Sequence, residues 1–292
     1  MLTAEYLASC EKMIRQGSST FHKAFGYLPS PRREAVFVIY AFCRMIDDSV
    51  DEPDRSPYTI DELEELFTSL ETASGHFIWP SLRWLFESFP VTKTPFLRQM
   101  EGQRKDLILT QYDSLEQLEQ YCYLVAGTVG EMLLPVLHDA PDQAVSEAGI
   151  SLGKALQIVN IVRDIGEDKG RGRRYVPLQW MEDSGYTLRD FEQGTVNDAF
   201  RSLIDRLERL AREWLEQGLH GIESYPASSG FSVELAARYY AAILDEVKAM
   251  DYAVYRKRAY VGSFAKLRLY RAMKRKYSEE GGAESGGAVS AL

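Results

Sequence analysis

Two short runs of aspartate are the residues in this sequence most suited to chemistry. In IDDSVDE, Asp47 and Asp51 stand four residues apart, and in QIVNIVRDIGEDKG, Asp164 and Asp168 repeat that spacing. On a helix, residues i and i+4 share a face one turn apart, so each pair stacks two like charges on one stripe. Water, a basic neighbour or a cation must offset that repulsion. Carboxylates from two helices facing each other across a cavity suit hard divalent ions, and Mg²⁺ combines a few carboxylates with water and phosphate oxygens. One DxxxD pattern usually marks a solvated helix end. Here there are two, each closing an apolar helical run. On the second helix Gln157, Asn160, Asp164 and Asp168 step by three, four and four, a polar stripe that needs a purpose if it is buried.

Cations for an anionic ligand lie close by. Arg44 precedes Asp47 by three residues, Arg163 adjoins Asp164, and GRGRRY (170–175) and YRKRAY (255–260) add more. Magnesium bridging carboxylate to phosphate oxygens, with arginines completing the shell, would hold a diphosphate. The glycines of GRGRRY allow a lid over a ligand, against the even alternative of a solvated loop. In GSSTFHKAF, Ser18, Ser19 and Thr20 precede Phe21 and Phe25. This reads first as a helix cap followed by core aromatics, and functionally as an anion pocket floored by phenylalanine. Tyr40, Tyr121 and Tyr240 lie on apolar helices, where most tyrosines are core residues. Gly127 and Gly130 each cost a helix about 1 kcal/mol relative to alanine, so they serve either close packing or space for a ligand.

The elements that must position these residues read as helices throughout. Apolar residues recur at threes and fours in REAVFVIYAFCRMIDDSVD, SLEQLEQYCYLVAGTVGEMLLPVL, AVSEAGISLGKALQIVNIVRDIGEDKG and SVELAARYYAAILDEVKAM, and strand alternation is missing. An all-α single domain over 1–277 is predicted, with the Gly-rich tail 278–292 disordered. A formal charge of −9 argues against nucleic acid as the partner. Cys10, Cys43 and Cys122 are scattered singly, which fits a reducing cytoplasm and neither disulfides nor zinc. Signal-peptide and membrane-span patterns are absent, so a cytoplasmic protein is predicted. The basic segment YRKRAYVGSFAKLRLYRAMKRKY reads first as a solvated helix, with peripheral contact to an anionic membrane left open for product release.

Together these motifs resemble the squalene/phytoene synthase family of head-to-head prenyl transferases. The agreement runs from GSSTF and YAFCRMIDDSVD through YCYLVAGTVGE and ALQIVNIVRDIGEDKGRGRRYVP to ELAARYYAAILDE. The resemblance implies an all-α isoprenoid-synthase bundle around a central apolar cavity, with two or three Mg²⁺ ions held by Asp47, Asp51, Asn160, Asp164 and Asp168. It implies contacts to prenyl diphosphates from Gly17, Ser18, Ser19, Thr20, Tyr40, Arg44, Gln157, Arg163, Tyr240 and Arg258. It also implies a cavity position for Tyr121 and a flap formed by Arg173, Arg174 and Tyr175. The four aspartates and Tyr121 are the candidate catalytic residues, and Asp48, pointing elsewhere, is a bystander. The implied reaction joins two prenyl diphosphates through a cyclopropyl presqualene-type diphosphate.

Bacterial dehydrosqualene synthases are the nearest in look, with Phe25 a bulky stop favouring two farnesyl chains. NADPH is not expected, since no nicotinamide signature is evident. At Gly17 the C30 enzymes often carry histidine and the phytoene synthases glycine, which keeps a C40 product open. Squalene or presqualene diphosphate synthesis and farnesyl diphosphate hydrolysis are further alternatives on the same fold.

Overall fold

The computed structural model describes residues 3–286, with side chains through 279. As predicted, the architecture is all-α, and the described residues contain no strand. In chain order the helices are α1 (Ala4–Gly17), α2 (Ser19–Phe25), α3 (Arg32–Asp51), α4 (Ile60–Thr68), α5 (Ile78–Ser88), α6 (Thr94–Lys105) and α7 (Leu115–Cys122). There follow α8 (Thr128–Leu137), α9 (Gln143–Gly170), α10 (Leu178–Ser184), α11 (Leu188–Gln193), α12 (Asp198–Gly218), α13 (Ala227–Ala249) and α14 (Ser263–Gly286). Helix α14 therefore continues into the stretch 278–292 predicted to be a disordered tail, and positions 287–292 lie outside the described residues.

Local chemistry sets many of these boundaries. Thr3, Ser18, Thr59, Ser114, Asp142, Thr187 and Asn197 each cap a helix by accepting a hydrogen bond from a backbone N–H of its first turn, which satisfies a donor that the helix cannot. Gly185 and Gly194 end α10 and α11 in the left-handed conformation, which glycine adopts without strain.

Two apolar clusters form the core. One gathers α1, α3, α4, α5 and α6 around Phe37, Phe42, Phe67, Trp79 and Phe96. The other gathers α9 and α12 around Ile158, Val162, Phe200 and Leu207. Helix α13 belongs to both, giving Val233, Ala236 and Tyr239 to the first and Ala237, Tyr240 and Ile243 to the second. Thus α3 and α9, which carry the two aspartate pairs, are anchored in different cores, and their polar faces meet in the space between.

Between α7 and α8 the helix loosens into a π-helical turn, Tyr123–Gly127, a feature that often occurs at functional sites. Glycines on the two flanking helices, Gly130 of α8 and Gly153 of α9, serve close packing. A Cβ on Gly130 would stand 2.7 Å from the carbonyl carbon of Gly149, and one on Gly153 2.7 Å from that of Ala126. Backbone thus meets backbone where the π-helical turn and α8 cross α9, and both Gly130 and Gly153 also border the central cavity.

Candidate active site

A cavity of about 1100 Å³ opens between the two cores. Its lining includes Gly17 to Thr20, Tyr40, Arg44, Asp47, Asp51, Tyr121, Gln157, Asn160, Arg163, Asp164, Asp168, Tyr240 and Arg258. Every candidate site residue named above from the two aspartate motifs, the N-terminal hydroxyl segment and the tyrosines is therefore brought together.

On the α3 wall, Asp47 Oδ1 accepts a hydrogen bond from Gln103 Nε2 at 3.2 Å, and its Oδ2 lies 3.3 Å from Arg44 Nη1. Burial raises the Asp47 carboxyl to about 6, against the pull of Arg44 and with help from the charges of Asp51, Asp48 and Asp106. One turn on, Asp51 is held by two loop arginines, Arg171 Nη1 at 2.5 Å and Arg173 Nη1 at 2.6 Å. Asp48 departs from its predicted bystander position. It borders the cavity, and Arg44 Nη2 meets its Oδ1 at 2.5 Å, because Arg44 lies one turn before it on the same helix.

On the α9 wall, Asp164 is clamped from two sides. Arg163 donates from Nε and Nη2 at 2.8 and 2.5 Å, and Arg258 approaches with Nε at 2.8 Å and Nη2 at 2.9 Å. Asp168, one turn further, is raised to about 8, chiefly by burial and then by the charge of Asp164, with Arg173 opposing. Asn160 Nδ2 donates to Gln157 Oε1 at 3.4 Å, while Asn160 Oδ1 is buried without a partner. Among the described residues no three carboxylate, imidazole or thiol groups converge into a preformed metal cage. The donor set nevertheless fits a hard cation: two half-buried carboxylates with raised affinity for protons and an orphaned amide oxygen all border one cavity, and all are oxygen ligands.

The GRGRRY loop divides its labour. Arg173 and Tyr175 line the cavity. Arg174 instead turns into the protein, where its Nη1 donates to the carbonyls of Tyr112 and Val176 at 2.8 and 2.6 Å and its backbone N–H donates to Thr110 at 2.7 Å. It anchors the loop.

At the other end of the cavity, Ser18 caps α2, its Oγ accepting from Phe21 N at 3.1 Å. Phe21 packs on Phe25 with ring centres 4.4 Å apart. Gly17 lies under the Tyr40 ring, and a Cβ there would stand 3.3 Å from Tyr40 Cζ and closer still to the hydroxyl.

Two further groups at the cavity carry no sequence motif of their own. Gln99, Gln103 and Asp106 form a second buried polar stripe, on α6 and its C-terminal cap, and all three border the cavity. Asp106 Oδ2 accepts from Tyr121 Oη at 2.8 Å, its Oδ1 is buried and unpartnered, and burial raises its carboxyl to about 6. The Tyr121 and Tyr175 rings stack above it, 4.8 Å between centres. Lys266 of α14 is buried against the cavity with no carboxylate partner among the described residues. Its Nζ donates to Thr20 Oγ1 at 2.8 Å and Ser19 Oγ at 3.4 Å, and burial lowers its pKa. The signals existed: positions 99, 103 and 106 step like 157, 160 and 164, and Lys266 shares its helix face with Leu269, Tyr270 and Met273.

Known proteins resemble this chain in sequence and in fold. The squalene/phytoene synthase family model matches residues 14–265. Phytoene synthase 1 of Zea mays is 34% identical over 267 residues, 88% of this chain and 65% of that protein, so the chain spans just under two thirds of that relative's length. Phytoene synthase 2 of Solanum lycopersicum is 33% identical over 91% of this chain and 89% of its own. Among solved structures, a dehydrosqualene synthase with bound ligand superposes with a TM-score of 0.87 at 29% identity, covering 94% of this chain and 97% of the other. A squalene synthase from Alicyclobacillus acidocaldarius gives 0.76 at 25% identity, covering 85% and 95%. A match to the family model over nearly the whole described chain, carrying both aspartate pairs on opposed helices, means that this protein belongs to the squalene/phytoene synthase family.

Proposed function

We propose that the protein condenses two allylic prenyl diphosphates head to head, with farnesyl diphosphate as substrate and dehydrosqualene as product. The observation that carries the reaction class is the pairing of Asp47 and Asp51 with Asp164 and Asp168 across one apolar-walled cavity ringed by arginines. The oxygen donors Asp47, Asp51, Asn160, Asp164 and Asp168 would hold Mg²⁺, which when bound neutralises the departing diphosphate. Arg44, Arg163, Arg171, Arg173 and Arg258 stand ready to exchange their carboxylate partners for phosphate oxygens. Lys266, held by Ser19 and Thr20, supplies a cation for a second diphosphate group.

Loss of the first diphosphate leaves an allylic cation, which the double bond of the second molecule attacks. Loss of a proton then closes the cyclopropane. A second ionisation rearranges the ring, and a second proton loss gives the linear triene without a reductant. Val125, Val129, Leu133 and Ile161 exclude water along the walls, and the tyrosine faces favour positive charge. The Asp106 to Tyr121 hydrogen bond fixes the phenol that faces this path.

Chain length is read from Phe25, buried at the cavity wall with Phe21 against it, and from the overall likeness to a dehydrosqualene synthase. A second reading, phytoene from two geranylgeranyl diphosphates, is favoured by the plant relatives and by Gly17. Incubation with farnesyl diphosphate and Mg²⁺, without NADPH, followed by mass analysis, should yield dehydrosqualene. Phytoene from geranylgeranyl diphosphate, with nothing from farnesyl diphosphate, would select the C40 reading. Release of farnesol alone would overturn condensation altogether.

A further inference from the structure

Residues 252–278 contain nine of the chain's 34 Lys and Arg and none of its 43 Asp and Glu. Three of the nine are engaged: Arg258 with Asp164, Lys266 with Ser19 and Thr20, and Lys276 with Glu234. Arg256, Lys257, Arg268, Arg271 and Lys274 are exposed and have no carboxylate partner among the described residues. A protein of net charge −9 has carboxylates to spare, so a segment kept free of them is a local departure from its own surface.

The same segment exposes large apolar groups. Phe264 is 91% exposed and Tyr260 70% exposed, and Leu267 is exposed as well. On α14, Phe264, Leu267, Arg268 and Arg271 fall at i, i+3, i+4 and i+7 and form one outward stripe, while Lys266 and Met273 are buried beneath. The loop just before α14 lines the cavity through Arg258, Ala259, Tyr260 and Val261, and Tyr260, 70% exposed, reaches both the cavity and the surface. An almost fully exposed phenylalanine flanked by cations without carboxylate partners, four residues after the cavity-lining Tyr260, has the composition of an interfacial anchor rather than of a solvated helix.

We propose that the 256–262 loop and the outward stripe of α14 dock the protein on an anionic lipid bilayer, with Phe264 and Tyr260 entering the headgroup region. Charge complementarity identifies the occupant. An overall acidic protein is repelled by an anionic bilayer unless it presents a local basic face, and each Lys or Arg near such a surface strengthens binding about fivefold. Docking at this rim would place the cavity opening at the lipid, where prenyl chains and a hydrocarbon product partition.

The experiment is flotation of the full chain with vesicles of phosphatidylcholine alone or phosphatidylcholine mixed with phosphatidylglycerol, without substrate. Binding is expected only to the mixed vesicles, weakening as salt rises. Arg268→Ala with Arg271→Ala should weaken it about 25-fold. Phe264→Ser should weaken it about tenfold with no change in charge, and Leu188→Ser, on an exposed site of α11, should have no effect. The Phe264 variant should keep its helical circular dichroism and its turnover of detergent-dispersed substrate. Absence of binding to the mixed vesicles, as an acidic protein partner would imply, overturns the proposal. So does equal binding by folded Phe264→Ser and the double arginine variant. Because the readout uses no substrate, its failure leaves the condensation reading standing, and the reverse also holds.

Discussion

The aspartate pairs of α3 and α9 have the same spacing and opposite surroundings. In α3 the first member, Asp47, is half-buried beside Arg44 and raised to about 6, and the second, Asp51, is clamped by Arg171 and Arg173. In α9 the order reverses: the first member, Asp164, is clamped by Arg163 and Arg258, and the second, Asp168, is raised to about 8. Each wall thus pairs one arginine-neutralised carboxylate with one that is short of positive charge. The inversion teaches that spacing alone does not assign roles. The clamped members store arginines that a diphosphate can recruit, and the raised members mark where charge is missing and where a cation gains most.

The largest effects should come from removing one aspartate of each kind in turn. Asp47→Ala removes an under-compensated carboxylate, and Asp164→Ala removes a clamped one. Each is expected to lower turnover by about 10²–10³-fold or more, the cost of removing a group that stabilises developing charge. Circular dichroism should stay helical, since neither side chain belongs to an apolar core cluster. Turnover by either variant at the rate of the parent would remove that aspartate from the ligand set.

A smaller effect separates the two arginines on Asp51. The Arg173 side chain is 11% exposed and the Arg171 side chain 37% exposed, and Arg173 also acts on Asp106 and Asp168. Charge pairs near solvent contribute little, whereas buried ones contribute more. Arg173→Gln should therefore reduce kcat/KM about tenfold or more, and Arg171→Gln by less than about fivefold, as steady-state kinetics can read. Equal losses would mean that the loop acts as a single charge and that the burial difference is irrelevant.

Much of this comparison was legible in the sequence, for a physical reason. The apolar periods of α3 and α9 are long and uninterrupted, so the polar stripe of Gln157, Asn160, Asp164 and Asp168 stood out against them. Gln99, Gln103 and Asp106 have a similar step, but Arg98, Glu101 and Arg104 surround them, so α6 reads as a helix polar on several faces. Lys266 was hidden by distance, its partners Ser19 and Thr20 lying almost the whole chain away. Arg174 looked like its neighbour Arg173, and only the path of the loop beside Thr110 and Tyr112 turns it inward. Asp48 differs from its predicted position because Arg44, one turn before it, holds its carboxylate at the edge of the cavity.

The smallest effect is one of stability, and it tests the raised members alone. The Asp168 carboxyl, ordinarily near 3.8, is held at about 8 in the folded chain. Between those values the folded protein keeps a proton that the unfolded chain releases, so stability falls as pH rises through roughly 4 to 8. Asp47, raised to about 6, adds to the same slope over the lower part of the window. Asp168→Asn cannot ionise. In metal-free protein it should match the parent near pH 4 and melt higher at pH 8.5, by about 2–4 °C for each kcal/mol of relieved charge. Added Mg²⁺ and diphosphate should narrow that gap, because they supply to the parent the counter-charge that the variant no longer needs. Melting curves that coincide at pH 8.5 would show that Asp168 is already compensated, and the inverted symmetry of the two walls would lose its α9 half.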